Sequence, residues 1–412
     1  MKKDILFLCQ FFYPEHNSSA TLPFDTAKYL AANGFTVDAL CGYPKEYSSE
    51  KNVPLRETKD GVNIRRLRYI QLGRWKKIAR LVNYFSFTLS VLLRVFYLRN
   101  YKSVIVYSNP PVLPIAAVLA KMFFRTKIVF VAYDVYPEVA YASGSLKPGS
   151  LIDKGMRLIN KMMYKRVDKV IALTDEMKEF ILANRNGITE EQVVVIPNWA
   201  HEKTTEPTPE AYARFGYSPD QFIVSYFGNM GICQEMNTLM DAVETMKDND
   251  KVRFLFVGHG SKKASIEARI KERNLENAQI LDFLTGEAFE QAVAISSWCV
   301  VSLEKGLKGM CAPSKYYSYL QAGKPVLAIV ENGSYLQKEI IAEKIGGVVE
   351  LGDSIGAVKE IEKMQKDEVL TTKRKEHARE LYNARYDFRN AAFKYRLVFE
   401  ELLFEGRGLC GD

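Results

Sequence analysis

Histidine is scarce in this chain: four among 412 residues, none at metal-ligand spacing from another. A metal centre built on imidazole is therefore not expected. Cysteine is sparse as well. Its six positions (9, 41, 233, 299, 311 and 410) lie far apart, mostly inside apolar runs, with no Cys-x-x-Cys pair. That pattern excludes a disulfide framework and reads as reduced, buried thiols of a cytoplasmic protein. No low-complexity tract interrupts a composition that is 47% apolar and 26% charged, as in soluble globular proteins. Also missing is an apolar stretch of the roughly 20 residues a membrane-spanning helix needs. The run at 81–98 is shorter and contains Asn83 and Arg94. At the start, MKKDILFLCQFFYP is broken by Asp4 and offers no small-residue cleavage site, so a first β-strand is expected and not a signal peptide.

What is present is rhythm. A chain of this length calls for two or three domains. Continuously apolar, β-branched runs recur at 4–9, 36–41, 103–108, 127–133, 169–174 and 193–197. Strands buried on both faces of a parallel sheet look like this, and helical patterns fall between them. Residues 199–220 gain proline, threonine and charge and read as a linker. A second series follows at 222–228, 252–258, 278–283, 298–303 and 325–330. The expected architecture is α/β, two doubly wound Rossmann-like domains facing a cleft, with ligands beyond the carboxyl ends of the strands. The last helix, YDFRNAAFKYRLVFEELLF, either completes the second domain or crosses back to the first.

The net charge of +8 is concentrated. Arg65, Arg66, Arg68, Arg74, Lys76, Lys77 and Arg80 lead into the apolar run, and Arg99 and Lys102 follow it. Two readings stand: a helix lying on an anionic membrane face, or a core helix with a solvated basic edge. Nucleic-acid binding is not expected, because these cations adjoin an apolar helix and no base-stacking platform.

Three strand ends in the second half carry phosphate-type turns. FIVSYFG runs into Gly228-Asn229-Met230-Gly231. VRFLFVG is followed by Gly258, Gly260, Lys262 and Lys263. The third is Pro313-Ser314-Lys315 before a short aromatic helix, where Ser314 is placed to cap. Together they point to a nucleotide diphosphate bound by Gly228, Asn229, Gly231, Gly258, Gly260, Lys263, Pro313, Ser314 and Lys315, with Tyr316 and Ser318 on the helix beyond. In the first half, Asp134 and Glu138 stand at a strand end among tyrosines and are the catalytic candidates; Asp134 also reads as a helix cap or turn residue. His16, Ser18, Ser19 and Tyr133 are the candidate acceptor contacts, and SNPP (108–111) shapes a loop.

The order of SNPP, AYDVYPE, VIALTDEMKEF, VVVIPN, YFGNMG, FLFVGHG and PSKYYSYLQAGKPVLA resembles retaining glycosyltransferases of family four, most of all the bacterial branch building O-antigen and capsule oligosaccharides. The resemblance covers nearly the whole chain. It implies the GT-B fold, with an acceptor domain (1–203), a nucleotide-sugar domain (204–384) and a terminal helix (385–412) crossing back to the first. It further implies a nucleotide diphosphate sugar donor, commonly UDP-linked, no metal or other cofactor, and a polyprenyl-diphosphate-linked saccharide acceptor. A hexose or N-acetylhexosamine would be transferred at the inner leaflet of the plasma membrane by a cytoplasmic, peripheral enzyme. Relatives carry two glutamates with seven residues between them before the Gly-Lys-Pro segment. Here those positions are Met310 and Ser318. Ser18 and Ser19 replace a usual glycine pair, and Tyr133 or Asp134 stands where many relatives have histidine. The alternative implied by these departures is a non-catalytic subunit of the same fold that stabilises or anchors a partner glycosyltransferase.

Overall fold

The buried apolar runs become strands of two sheets in the computed structural model, which describes residues 2–45, 52–73, 77–200 and 205–404 (Lys77 by its backbone alone). Contacts divide the chain into a first unit, Met1–Asn198 with Gly309–Ala312 and Phe388–Asp412, and a second unit, Trp199–Lys308 with Pro313–Asp387.

The first unit holds β1 (Lys3–Cys9), α1 (Ser18–Ala32), β2 (Val37–Gly42), β3 (Arg56–Lys59), β4 (Val62–Leu67), α2 (Lys77–Leu92), β5 (Tyr101–Tyr107), α3 (Pro114–Phe124), β6 (Lys127–Ala132), α4 (Glu138–Ala142), α5 (Leu151–Tyr164), β7 (Lys169–Ala172), α6 (Asp175–Asn184) and β8 (Val193–Val195). Its strand order is β3-β4-β2-β1-β5-β6-β7-β8. All neighbours are parallel except β3 and β4. Right-handed crossovers put α1 on one face of this sheet and α2, α3, α5 and α6 on the other. On that second face Leu6, Val104, Val106 and Phe130 share one buried core with Phe87, Val91, Met163, Tyr164, Met177 and Ile181.

The second unit holds α7 (Pro209–Arg214), β9 (Phe222–Asn229), α8 (Asn237–Thr245), β10 (Val252–His259), α9 (Lys263–Glu272), β11 (Ala278–Leu281), α10 (Gly286–Ile295), β12 (Trp298–Ser302), α11 (Ser314–Gln321), β13 (Val326–Ile329), α12 (Tyr335–Ala342), β14 (Gly346–Val349), α13 (Ser354–Lys366) and α14 (Glu368–Leu381). Its sheet is parallel throughout, in the order β11-β10-β9-β12-β13-β14. The final helix, α15 (Phe388–Phe404), packs on the first unit. Phe388 meets the Tyr29 ring at 6.0 Å, Phe399 meets Phe35 at 6.4 Å, and Lys169 pairs with Glu401 at 2.6 Å. Two Rossmann-like units with a returning last helix are the GT-B pattern that the resemblance implied.

Several expectations need correction. β3 and β4 form a hairpin through Asp60 and Gly61, both with positive φ (48° and 80°), the geometry a two-residue Asp-Gly turn favours. β3 is polar and precedes the basic cluster, and β4 carries that cluster's Arg65 and Arg66, so neither shows the apolar run of a buried strand. Of that cluster, Arg66 is buried: it donates to the carbonyls of Pro54 (2.7 Å) and Tyr13 (2.8 Å) and pairs with Glu57. Arg65 lies over the Tyr97 ring at 5.0 Å. Arg74, Lys76 and the side chain of Lys77 fall outside the described residues, as does Cys410. The linker contains a helix, α7, which Thr208 caps by accepting from the Ala211 N–H, with Pro209 at its first turn.

Helix α2 is a core helix along one face and leaves apolar side chains exposed along the other. Ala79, Asn83, Phe87 and Val91 face the core, and Asn83 exchanges hydrogen bonds of 2.8 Å with the backbone N–H and carbonyl of Leu72. Ile78, Phe85 and Leu89 face outward. Among the described residues, no helix is long and apolar enough to cross a membrane.

Phe399→Ala should lower the stability of the first unit by about 3–5 kcal/mol, because it empties a fully buried aromatic site. Hydrogen exchange reads this directly: amides of β1, β5 and β6 should exchange faster, while those of β9, β10 and β13 keep their protection. Equal loss in both sheets would mean that the last helix does not belong to the first unit's core.

Candidate functional site

Strand order reverses between β9 and β12 in the second unit, and at such a switch the loops leave the carboxyl edge in opposite directions. The backbone there is tightly built. Gly258 (φ 151°) pairs with Gly228, and a Cβ on it would lie 1.9 Å from the Gly228 carbonyl oxygen. A Cβ on Gly260 would lie 2.4 Å from the oxygen of Met230. Only glycine fits at either position. The Met230 N–H donates to His259 O at 2.6 Å and the Lys262 N–H to Met230 O at 2.9 Å, which ties the two turns into one. The Asn229 amide folds against Gly231. No helix follows at once: α8 begins only at Asn237, and within the Gly-x-x-Gly turn the N–H groups of Met230 and Gly231 are already taken, the second by Gln234 Oε1 at 3.1 Å.

Lys315 lies beside this turn. Its Nζ sits 3.6 Å from the centroid of the Tyr226 ring, close to Gly228, and has no hydrogen-bond partner although it is sealed from solvent. Tyr226 is itself fixed, its hydroxyl donating to the Asn229 carbonyl at 2.8 Å. Burial holds the Lys315 ammonium pKa well below the usual lysine range. An unpaired cation at this depth is costly unless an anion joins it.

The surrounding candidates divide. Ser314 is exposed and opens α11 without capping it; Pro313 holds the cap position and no side chain bonds the first amides. Ser318 is half-buried one turn after Lys315. Tyr316 is core: fully buried, with its hydroxyl on Glu339 at 2.5 Å and its ring against Tyr386. Lys263 is held by Asp282 and Glu267. Lys262 reaches inward instead, donating to the Gln234 carbonyl at 2.6 Å and to Glu304 at 2.5 Å. Glu304 escaped the sequence reading, since it lies in a charged loop with no motif around it.

In the first unit, Asp134 follows β6 at the carboxyl edge. Its backbone is pinned: the N–H donates to Ser108 Oγ at 3.1 Å, it bridges to Cys311, and the next N–H donates to Met310 O at 2.8 Å. Its carboxylate has no hydrogen-bond partner among the described residues. Pro137, not Asp134, occupies the cap position of α4. Burial pushes the Asp134 carboxyl up to about 6. Glu138 differs, because both of its oxygens are held by the Arg185 guanidinium at 2.9 and 2.5 Å. That fork-to-fork pair leaves it no free oxygen for chemistry. His16 and Ser18 are exposed and Ser19 half-exposed at the start of α1. Tyr133 stacks by Tyr107 at 5.2 Å, and burial, with Tyr395 beside it, raises its hydroxyl well above the usual range.

Comparison with known proteins adds sequence to geometry. The glycosyl transferase 4-like domain family matches residues 24–199, and the glycosyl transferases group 1 family matches residues 210–382. The chain is similar to the probable glycosyltransferase WbjE of Pseudomonas aeruginosa, 28% identical over 58% of this chain and 60% of that relative, so it spans under two thirds of it. It is also similar to the putative colanic acid biosynthesis glycosyl transferase WcaI of Escherichia coli K12, 22% identical over 66% of this chain and 68% of the relative. Among solved structures it resembles Anabaena HepE in complex with UDP-glucose, with a TM-score of 0.69 and 16% identity, covering 98% of this chain and 100% of that one.

The two unpartnered charges generate stability predictions. Asp134 binds its proton more tightly folded, near 6, than unfolded, near 3.8. Its cost is therefore absent below about pH 4 and complete above about pH 6. Asp134→Asn should stabilise the protein at pH 8 by on the order of 1–3 kcal/mol and leave it unchanged at pH 4, read by denaturant melts at both values. Lys315→Met should raise the melting temperature of the ligand-free protein, since it replaces a sealed, unpaired ammonium by an apolar group of similar length. A lower melting temperature would mean that Lys315 has a structural partner.

Proposed function

This chain belongs to the glycosyltransferases, 4-like in its first half and group 1 in its second, and we propose that it transfers a sugar from a nucleoside diphosphate sugar to a lipid-linked saccharide during surface polysaccharide assembly. The observation that carries this reading is Lys315: a buried, unpaired cation at the strand switch of the second unit, beside a turn of close-packed glycines. The UDP-glucose held by HepE and the colanic acid named for WcaI support a uridine donor and an exported polysaccharide. The exposed apolar face of α2 supports work at the inner leaflet of the plasma membrane.

In this reading the donor's diphosphate enters beside Gly228. Lys315 turns its ammonium from the Tyr226 ring onto the phosphate, and the N–H groups at the start of α11 complete the cradle. Ser318, one turn along α11, takes the ribose hydroxyls. As the bond from anomeric carbon to phosphate oxygen breaks, negative charge develops on the leaving phosphate, and these donors stabilise it. The acceptor hydroxyl forms the new bond on the same face and passes its proton to the leaving phosphate oxygen, so configuration is retained. Asp134, ionised above about pH 6, has the role of stabilising the positive charge that builds on the sugar or of orienting the incoming hydroxyl. His16, Ser18, Ser19 and Tyr133 contact the acceptor. Glu138 fixes the Asp134 loop through Arg185 and does not react.

Lys315→Ala should weaken binding of the nucleoside diphosphate by on the order of 1.5–3 kcal/mol and spare the nucleoside, measured by calorimetric titration of both. Equal losses would remove the phosphate role. Asp134→Asn should lower turnover about 100-fold, a barrier increase of about 2.7 kcal/mol, with donor affinity unchanged. Near-normal turnover would end the catalytic assignment. An unmutated chain that binds sugar nucleotides yet transfers to no membrane-lipid acceptor would be a binding subunit instead.

A further inference from the structure

The cations around α2 are not equally available to a membrane: Arg68, Arg94 and Arg99 are exposed, and others are not. Arg66 is consumed by the fold and Arg65 lies over an aromatic ring, so β4 offers little to a lipid headgroup. The outer face of α2 is apolar, and Leu93 and Phe96 (68% exposed) extend it beyond Leu89 at helical spacing. Apolar surface alone does not distinguish a bilayer from a protein partner.

Helix α5 adds a second surface of the same kind, with cations beside its apolar side chains. Its inner face buries Asp153, Met156, Met163 and Tyr164. Asp153, its single acid, accepts from the Gly149 N–H at 2.7 Å and pairs with Arg157. Outward stand Leu151 (85% exposed) and Leu158 (59%), two turns apart on one line. Lys154, Lys161 and Lys165 run along one side of that line, exposed and without an ion-pair partner among the described residues. This is the layout of a helix lying in a membrane interface, an apolar ridge flanked by cations. Right-handed crossovers put α2, α3 and α5 on the same face of the sheet. Between the other two, α3 ends in exposed Met122 and Phe123, then Arg125.

The sequence carries the same bias further than the helices do. From Gly61 to Tyr133, a span of 73 residues, there are 13 Lys and Arg and no Asp or Glu. At the chain's average frequency about nine acids would be expected there. A protein partner tolerates or uses acidic residues at an interface rim, whereas an anionic bilayer opposes every one of them.

We infer that α5 is a second lipid-contact helix, and that the face formed by α2, α3 and α5 docks the first unit on an anionic bilayer with Lys154, Lys161 and Lys165 contributing to the charge. This rests on the reading that the chain works at a membrane, and the test separates the two. Binding of the whole protein is measured on vesicles containing phosphatidylglycerol and on vesicles of phosphatidylcholine alone, at low and high salt. Each lysine near an anionic surface is worth about fivefold in partitioning. The variant carrying Lys154→Gln, Lys161→Gln and Lys165→Gln should therefore bind phosphatidylglycerol vesicles roughly a hundredfold more weakly at low salt and lose most of its salt dependence. Leu151→Ser with Leu158→Ser should weaken binding at both salt concentrations. If the unmutated protein binds and the lysine variant binds equally well, the inference about α5 falls while the reading of α2 stands. If the unmutated protein ignores both kinds of vesicle, both fall. If it instead self-associates through this face, with the lysine variant monomeric by light scattering and neither bound to vesicles, the occupant is a second copy and the inference is overturned.

Discussion

Each parallel neighbour pair in these sheets demands a right-handed crossover, and that constraint decides where chemistry can be placed. Chains that return over one face or the other leave the strands' carboxyl ends uncovered at the point where strand order reverses. In the second unit the reversal lies between β9 and β12, and Gly228 and Lys315 stand on either side of it. In the first unit it lies between β1 and β5, with Asp134 one strand further along. Neither site depends on an unusual scaffold. Each depends on loops short enough to hold their residues at the edge, which is why Gly258 and Gly260 have no room for a Cβ.

Charge pairing then sorts the ions. The buried or half-buried ions Arg66, Glu138, Lys262 and Lys263 all have opposite partners close by. Such pairs anchor loops, and breaking one would leave the other charge stranded. Asp134 and Lys315 depart from this rule: one carboxylate and one ammonium, each shifted toward its neutral form by burial. Unpaired groups of this kind cost stability, and a cost of that sort is tolerated where a ligand completes the pairing.

The sequence made the sheets legible because strands buried on both faces are continuously apolar, and eleven such runs coincide with strands. It hid β3, β4 and β14 for three reasons: β3 is polar, β4 carries two arginines, and β14 begins with two glycines. Glycine at 346 is required by the neighbouring strand, since a Cβ there would lie 1.8 Å from Val326 O. The motif reading found the turns but not which side chains fill them. Tyr316 and Lys315 are adjacent in sequence, yet a helix of 3.6 residues per turn sends one into the core and the other to Tyr226. Glu138 looked as available as Asp134, because its partner Arg185 lies 47 residues away and no local pattern announces it.

The acid-free stretch links the two halves of the functional reading. Asp134 is the first carboxylate after Asp60, and it closes the segment in which every other position avoids negative charge. Had the segment merely drifted toward basic composition, an asparagine at 134 would have served the fold better, since it would keep the backbone contacts to Ser108 and Met310 without the burial cost. In the proposed reading, a carboxylate there answers to something the empty protein lacks. A sugar that acquires positive charge as its bond to phosphate breaks would supply the missing partner, and only at the moment of transfer. In the proposed reading, attraction to an anionic surface and repulsion of acids from it bear on the helices, while the single acid at the sheet edge serves the reaction.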